Sequence, residues 1–345
     1  MTIPLRAVAL LSVLVAAACS ASAHGAEKIH WPVPWAADDL AAFDTESVVR
    51  EIEDGKQNAR RITDRTEIRT DEAGGNGYVL TWVTRDSRIE AVEGDRSMVD
   101  VLAPMLDEFD GMQVVIELDR NGQYRRVRNL EPLITKVRAT MLPILSANLD
   151  SMFRDADPKL SKADLDLALT MARSNLGASI DSIITPQGVE AMSSAQAKTM
   201  TAFTGKTLEV GKRYRDNAPL ESPTEGRPLP ATREYTLSLV EGDPGLARIR
   251  WTRTLDTEGD PEALWTLVGE LIGSDELMVA RRGRPKDLSL VEQGVVLFRR
   301  DTGAIEMLET VEITRYGSAH DEHQRDRMRR SGSTRIWAQE EAAAR

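Results

Sequence analysis

The chain has 345 residues, and its 55 acidic residues outnumber its 44 basic ones, so the net charge is −11 at neutral pH. A negative balance repels phosphate backbones and excludes nucleic-acid binding as a main role. Because the chain contains a single cysteine, an intramolecular disulfide scaffold is also excluded, and a hydrophobic core must hold the fold together.

The first 23 residues have the three parts of a secretory signal peptide. Arg6 supplies a positive charge, an uncharged apolar run follows over 7–18, and small residues end at Ala21-Ser22-Ala23. The run is shorter than the roughly 20 residues that a membrane-spanning helix needs. We therefore expect export, a mature chain that begins at His24, and a periplasmic or secreted location without a transmembrane helix.

Cys19 gives the same segment a second interpretation. The small residues Ala16-Ala17-Ala18 precede it, as in a lipoprotein site whose cysteine is acylated and becomes the mature N-terminus. Position 16 is alanine, where a large aliphatic residue is expected, and a long flexible tether after Cys19 is missing. Both routes stay open: soluble release, or lipidation of Cys19 and anchoring at the outer membrane.

Two stretches of the chain follow one plan of strand, glycine-rich turn and strand. The first covers 61–84 and carries Trp82 in its second strand, and the other covers 234–253 and carries Trp251 at the equivalent place. In the latter stretch apolar residues alternate with polar ones, which is typical of a sheet with one buried and one wet face. The residues predicted to be buried are Tyr235, Leu237, Leu239, Ala247, Ile249 and Trp251.

A further hairpin is predicted after each of these, at 114–122 and at 295–303. Asn121-Gly122 between β-rich runs is a strong hairpin signal, for which a positive φ is expected at both residues. Thr302-Gly303 lies in the same frame of the later hairpin.

A helix is predicted between the two hairpins of each half, over 100–109 and over 261–271. The same order of elements therefore occurs twice, which predicts an internal duplication. The β-rich halves are assigned to 24–128 and 205–345.

The stretch 129–204 between the halves has helical spacing and is predicted to be a helical insert. Apolar stripes run along 137–152 and 165–176, and a further helix is expected over 188–202. Ser161 and Asp164 form a capping-box pattern before the middle one.

Methionines are concentrated in this insert, and Met141, Met152 and Met171 are candidates for lining an apolar ligand site. Methionine is adaptable and recurs on surfaces that accept varied apolar partners, although ordinary core packing is the alternative. Near the N-terminus, Trp31 and Trp35 flank Pro-Val-Pro and suggest an extended arm across a sheet.

The sequence ends in a predicted hairpin with strands over 304–315 and 328–337, so its turn would cover 316–327. Two basic runs, 281–286 and 325–330, are interpreted as solvated hairpin faces or turns. The alternative for both runs is contact with anionic lipid head groups.

Motifs for catalysis, metals and nucleotides fail on chemical grounds. His320-Asp-Glu-His323 lacks a third ligand nearby, and 155–166 lacks the glycine and the final glutamate of a calcium loop. Gly74-Gly75-Asn76-Gly77 lacks the lysine and the helix of a phosphate-binding loop. We expect no cofactor, no metal and no enzymatic activity.

Together these elements predict an α+β fold, in which antiparallel sheet from two pseudo-repeated halves carries the central helical insert on its apolar face. This form resembles periplasmic carriers of lipids and lipidated proteins. We therefore expect a non-catalytic envelope protein that binds an apolar small molecule or lipid. The alternative is a protein-interaction or structural module of an envelope complex. An enclosed apolar cavity would favour the carrier, and an exposed apolar patch would favour the module.

Overall fold

A computed structural model of the chain describes residues 27–53, 56–156, 161–162, 164–172, 184–220, 228–256, 289–317 and 322–334. The predictions for the signal segment with Cys19, for the helix over 261–271 and for the basic run at 281–286 lie outside these residues.

The fold is α+β and consists mostly of antiparallel strands. The strands are β1 (Lys28–His30), β2 (Leu40–Glu53), β3 (Lys56–Gly74), β4 (Gly77–Glu93), β5 (Gln113–Leu118), β6 (Tyr124–Val127), β7 (Thr207–Glu209), β8 (Arg213–Asn217), β9 (Ala231–Val240), β10 (Asp243–Leu255), β11 (Ser289–Arg299), β12 (Ile305–Gly317) and β13 (Glu322–Thr334). Eleven of them form one sheet in the order β6-β5-β4-β3-β2-β13-β12-β11-β10-β9-β8, and β1 pairs with β7 separately. Among the described strands, the first long one, β2, therefore pairs with the last one, β13, in the middle of the sheet.

The sheet curls so that its two ends approach each other. Strands β5 and β9 stand eight positions apart in the sheet order, which would separate them by roughly 38 Å in a flat sheet at about 4.8 Å per strand. Gln123, just after β5, donates through Nε2 to the carbonyl of Thr204, 3.3 Å away. The neighbouring ring of Phe203 lies 5.0 Å from that of Tyr235 on β9. The concave side is called the inner face below, and the convex side the outer face.

Alternation along the strands assigns apolar residues to the inner face. Tyr235, Leu237, Ala247, Ile249 and Trp251 are buried there as predicted, and Leu239 is partly buried. They belong to one cluster that also contains Ile68, Leu80, Trp82, Ile116 and Leu118 from the other end of the sheet. Both ends of the curled sheet therefore share a single core.

The outer face carries charges instead. Arg61 on β3 pairs with Glu46 on β2 at 3.5 Å and with Glu90 on β4 at 2.8 Å. Arg85 pairs with Glu67 at 3.2 Å. Exposed pairs of this kind add little stability but keep the surface soluble, so the convex side is the wet face of the sheet.

The predicted hairpins form, but the turn at Asn121-Gly122 differs from the expected type. Among the described non-glycine residues, only Asp38 and Asp86 have a positive φ, so the φ of Asn121 is not positive. Gly122, the second residue of the turn, has a φ of 73°. The Asp119 carboxylate accepts from the N–H groups of Asn121 and Gln123 at 2.8 and 3.0 Å. This Asx-type turn holds the loop in a different geometry from a two-residue hairpin turn.

In the part of the chain that the structure describes, three helices have both ends defined: α1 (Ser97–Phe109), α2 (Leu130–Ala156) and α3 (Pro186–Thr201). Helix α3 begins two residues before the predicted start because Thr185 caps it, accepting from Gly188 N at 3.0 Å. A shorter helical stretch at 164–172 begins with the predicted capping pair, in which Asp164 N donates to Ser161 Oγ at 3.2 Å. The internal duplication and the status of 129–204 as an insert stay predictions.

The last hairpin is tighter than predicted. Gly317 at the end of β12 pairs with Glu322 at the start of β13, whereas the turn was expected to cover 316–327. Glu322 and His323 therefore belong to a strand in the middle of the sheet rather than to a loop. The charges at 325–330 caused the error, because a run of arginines is more often solvated than paired within a sheet.

The segment 29–35 crosses the inner face as an extended arm, in agreement with the interpretation of the Trp-Pro-Val-Pro-Trp sequence. The Trp31 ring stacks on Phe298 with centroids 4.1 Å apart, and its Nε1 donates to the Gly303 carbonyl at 2.9 Å. A side chain at Gly122 would approach Val33 Cγ1 to 2.8 Å, and one at Gly303 would approach the carbonyl carbon of Pro32 to 2.8 Å. Glycine at 122 and at 303 thus leaves room for the arm to pass close to both hairpin turns.

Candidate functional site

A row of charged residues crosses part of the inner face. Asp216 on β8 lies opposite Arg233 on β9, Arg233 lies opposite Arg253 on β10, and Arg253 lies opposite Glu292 on β11. Arg253 is two positions from the buried Trp251 and therefore shares its face, because side chains on a strand alternate. These four residues are called the charged row.

Both carboxylates of the charged row accept hydrogen bonds through each of their oxygens. Asp216 accepts two hydrogen bonds from Arg233, at 3.0 and 2.8 Å. Glu292 accepts one from the Nε1 of Trp251 at 2.9 Å through one oxygen and one from the guanidinium of Arg253 through the other. Each end of the row is thus an ion pair with defined hydrogen bonds.

The middle of the row places two cations side by side. Arg233 and Arg253 are direct cross-strand partners, and only 15% and 22% of their side-chain surface is exposed. Like charges in this position destabilise a sheet. In addition, Nε of Arg253 is buried without a hydrogen-bond partner among the described residues, and a buried unsatisfied donor costs about 1–3 kcal/mol. The two opposed arginines and the unsatisfied Nε therefore destabilise the fold.

Lys206 adds a third cation at one end of the row. Its Nζ lies 3.4 Å from Asp216 Oδ2 and 5.5 Å from the ring centroids of Phe203 and Tyr235. Burial, and then the neighbouring charge of Arg233, lowers the pKa of the Lys206 ammonium below its ordinary value, although Asp216 opposes this effect. Three cations thus share two carboxylates, an excess of positive charge in an acidic protein.

Buried apolar clusters flank the charged row on both sides. The shared core lies on one side, where the guanidinium carbon of Arg233 is 4.6 Å from the Phe203 ring centroid. A smaller cluster lies on the other side and consists of Leu220, Leu229, Ala231, Leu255 and Leu290. A molecule with an anionic group on an apolar body matches this pattern of charge and apolar surface.

The charged row was missed at the level of sequence, because charged residues on a strand are usually assigned to its wet face. A usable signal was present. Arg233 is in phase with Tyr235, and Arg253 is in phase with Trp251, so the two-residue period already assigned both arginines to the apolar side.

The predicted apolar-ligand residues lie elsewhere. Met141 on α2 packs against a cluster that includes Val137, Ile184 and Val189. Met171 is 60% exposed on the helical stretch at 164–172, and the side chain of Met152 lies outside the description. Neither Met141 nor Met171 belongs to the apolar clusters beside the charged row, so their role in binding stays a prediction.

Cavities lined by described residues include a small one and open grooves with charged side chains in their walls. One of about 20 Å³ lies among Trp35, Phe43, Ile68 and Thr70, and its volume suits one water molecule. A groove of about 650 Å³ is lined by charged and hydroxyl side chains of β2, β3 and β4 and is open. An enclosed apolar cavity of ligand size therefore stays a prediction.

Within the described ranges, no three His, Cys, Asp or Glu side chains are arranged to hold a metal ion. In the same part of the chain, no helix has both the length and the apolar character that a membrane crossing requires.

A separate ionic cluster on β5 and β6 surrounds Glu117. Its buried carboxylate accepts from Arg125, Arg126 and Arg128 at 2.8, 2.9 and 3.1 Å. The hydrogen bonds from Arg128 and Arg126 hold the pKa of Glu117 below its ordinary value of 4.5. The charged form of Glu117 therefore stabilises the fold above pH 4.5, and this contribution is lost as the pH falls through the lowered pKa.

We expect Glu117→Gln to lower the free energy of unfolding at pH 7 by about 1–2 kcal/mol, because hydrogen bonds to a charged group are lost. The difference from the wild type should shrink in urea titrations as the pH falls below 4.5. Glu72→Gln is the matched control, since Glu72 is exposed and pairs with Arg128 alone in the described contacts. An equal loss in both variants would contradict the assigned role of Glu117.

No protein-family model matches the sequence, and neither does any curated protein sequence. Among solved structures, a lipovitellin structure described for its lipid–protein interactions has a TM-score of 0.42 at 6% identity and matches 88% of this chain. The chain spans only 26% of that protein.

Two further structures are less similar. DynF from the dynemicin biosynthesis pathway of Micromonospora chersina has a TM-score of 0.20 at 6% identity, over 90% of this chain and 86% of its own. The translocator domain of the autotransporter NalP from Neisseria meningitidis has a TM-score of 0.14 at 5% identity, over 94% and 95% of the two chains. Similarity this weak carries no argument about what the chain binds.

Proposed function

We propose that the protein is a non-catalytic binding protein for an amphiphilic, lipid-like ligand, exported from the cytoplasm and acting in the cell envelope. The observation that carries this proposal is the charged row between two apolar clusters on the inner face of the curled sheet. A ligand site is typically a concave, mostly apolar surface with a few placed polar groups, and the inner face has this composition.

The helices support the proposal by lying over the same face. Ala197 and Met200 of α3 belong to the shared core, and Val189 of the same helix packs with Val137 of α2. Helices above a concave apolar sheet provide the second wall that an apolar ligand needs.

The helical stretch at 164–172 is apolar on more than one side. Leu165 and Leu169 are buried, whereas Leu167 and Met171 are 62% and 60% exposed. A surface helix normally has a single apolar stripe. The exposed pair, Leu167 and Met171, is therefore a candidate contact for another protein. This observation favours a second candidate function, in which the protein is an interaction module of an envelope complex.

The cellular location rests on the signal segment alone. The signal peptide predicted over 1–23 is the basis for export. If Cys19 is lipidated, the protein is anchored at the outer membrane, and otherwise it is released. We also infer that the β-rich halves 24–128 and 205–345 arose by duplication around an insert at 129–204. The repeated order of hairpins along the chain supports this inference.

Native mass spectrometry of the protein purified gently from its own cell envelope tests the proposed function. We expect an additional mass that organic solvent removes and that fragments as a lipid-like amphiphile. The same spectrum shows whether the chain begins at His24 or at an acylated Cys19. A mass that equals the protein alone in every preparation would contradict binding of an amphiphile.

Cross-linking separates the second candidate from the first. If the exposed pair docks a protein, the variant Leu167→Gln should lose a cross-linked partner that the wild type captures. Met98→Gln is the matched control, because Met98 is also exposed but lies on α1. Retention of the partner by both variants would exclude the 164–172 surface as its docking site.

A further inference from the structure

We infer that the head group of the bound amphiphile is an anion, a carboxylate or a phosphate, held between the side chains of Arg233 and Arg253. This inference rests on the proposed binding function and specifies the chemistry of its ligand.

The hydrogen-bond inventory of the charged row supports an anionic head group. An arginine has five N–H donors in one plane, and two carboxylates occupy only part of this capacity. Arg233 uses Nε and one terminal nitrogen for Asp216. Arg253 uses a terminal nitrogen for Glu292, and its buried Nε has no partner among the described residues.

The direct opposition of the two arginines has the same implication. An anion between two guanidinium groups replaces their repulsion with charge-assisted hydrogen bonds, which are about twice as strong as neutral ones. The planar guanidinium matches the geometry of a carboxylate or phosphate, which a lysine ammonium does not. Lys206 lies 3.4 Å from Asp216 and adds to the positive potential without occupying this position.

Cationic and neutral head groups fit less well. A cation would meet the excess positive charge of Lys206, Arg233 and Arg253. A neutral hydroxyl would use one donor and leave the repulsion between the arginines unchanged. Apolar side chains lie on both sides of the row, in clusters that are buried, so we expect the anion to be one end of a longer apolar molecule.

Calorimetry on the full mature protein with two probes of equal chain length tests the inference. Dodecanoate carries an anionic head, and dodecanol carries a neutral one. We expect the wild type to bind dodecanoate at least tenfold more tightly than dodecanol at low ionic strength. Equal affinity for the two probes would overturn the anionic head group but leave the proposed binding function intact.

A double variant tests the position of the anion. Arg253→Gln combined with Glu292→Gln removes both charges of one ion pair, so no buried charge is left without a partner. We expect this variant to lose the tenfold preference while keeping its affinity for dodecanol. Arg250→Gln is the matched control, because Arg250 lies on the same strand but is exposed. A preference that survives in the double variant would overturn the placement.

Inorganic phosphate and dodecyl phosphate distinguish a free anion from a head group. Tighter binding of dodecyl phosphate supports an amphiphile, whereas equal affinity would indicate a free-anion site and overturn the inference. If neither fatty probe binds and no lipid copurifies, the proposed function fails and this inference fails with it.

Discussion

Replacement of Gly294 by alanine should destabilise the protein by about 3 kcal/mol, at the upper end of the usual cost of overpacking. Gly294 on β11 lies directly opposite Trp251 on β10. A β-carbon at Gly294 would overlap the six-membered ring of the Trp251 indole. Glycine is therefore required at position 294, because the Trp251 ring occupies the space that a side chain would need.

The indole has little freedom to move away. Its Nε1 donates to Glu292 at 2.9 Å, and its ring lies 5.6 Å from that of Phe203. Any shift that accommodates the new methyl group weakens these contacts, including the bond that orients the charged row. The free energy of unfolding from urea titrations is the measurement.

Two comparisons isolate the cause. Gly75→Ala should change stability by less than about 0.5 kcal/mol, because a β-carbon at Gly75 has no neighbour within 4 Å. In a Trp251→Ala background, the cost of Gly294→Ala should largely disappear, since residues in contact are coupled. If the cost stays at its full value in that background, the steric explanation is wrong.

Trp31→Ala is expected to cost about 3–5 kcal/mol, the range for removing a large aromatic side chain from a core. Trp31 is buried and stacks on Phe298 at an interplanar angle of 3°. It belongs to the arm rather than to the sheet. Its N–H donates to the Lys206 carbonyl at 2.9 Å, and its carbonyl accepts from the N–H of Gly205 at 3.0 Å. The alanine variant keeps these backbone bonds but loses the packing of the arm against Phe298 and the hydrogen bond to Gly303.

Trp31→Phe is the matched control. Phenylalanine keeps an aromatic ring on Phe298 but loses the hydrogen bond to the Gly303 carbonyl, so we expect a loss of about 1 kcal/mol. Thermal unfolding followed by circular dichroism, with urea titration of each variant, gives the comparison. Similar losses for alanine and phenylalanine would mean that the hydrogen bond, rather than ring packing, dominates.

Local pattern was sufficient for the hairpins and for the buried side of the later half. Strict alternation at Tyr235, Leu237, Ile249 and Trp251 identified the inner face, because every second side chain of a strand points to the same side of the sheet. Capping chemistry was equally readable at Ser161 and Asp164. These features depend on residues close together in sequence.

Features that depend on distant partners could not be predicted. The pairing of β2 with β13 joins opposite ends of the chain, and no local period specifies a partner. The first part of β13, over 322–327, was assigned to a turn because a strand in the middle of a sheet is expected to be apolar, whereas the prediction of a strand from 328 was correct. The charged row was missed for another reason: charged strand residues were assigned to the wet face, although the two-residue period placed Arg233 and Arg253 on the apolar side.

The pairing of β2 with β13 has a consequence for how the chain is made. Twelve residue pairs, from Ala42 with Thr334 to Glu53 with His323, close the middle of the sheet. Synthesis runs from the N-terminus, so one edge of β2 stays unpaired until β13 has been made. Long-range pairing of this kind folds slowly, and an open edge invites association with other chains. A chain truncated shortly before β13 would therefore be prone to aggregate, although it retains most of the core residues.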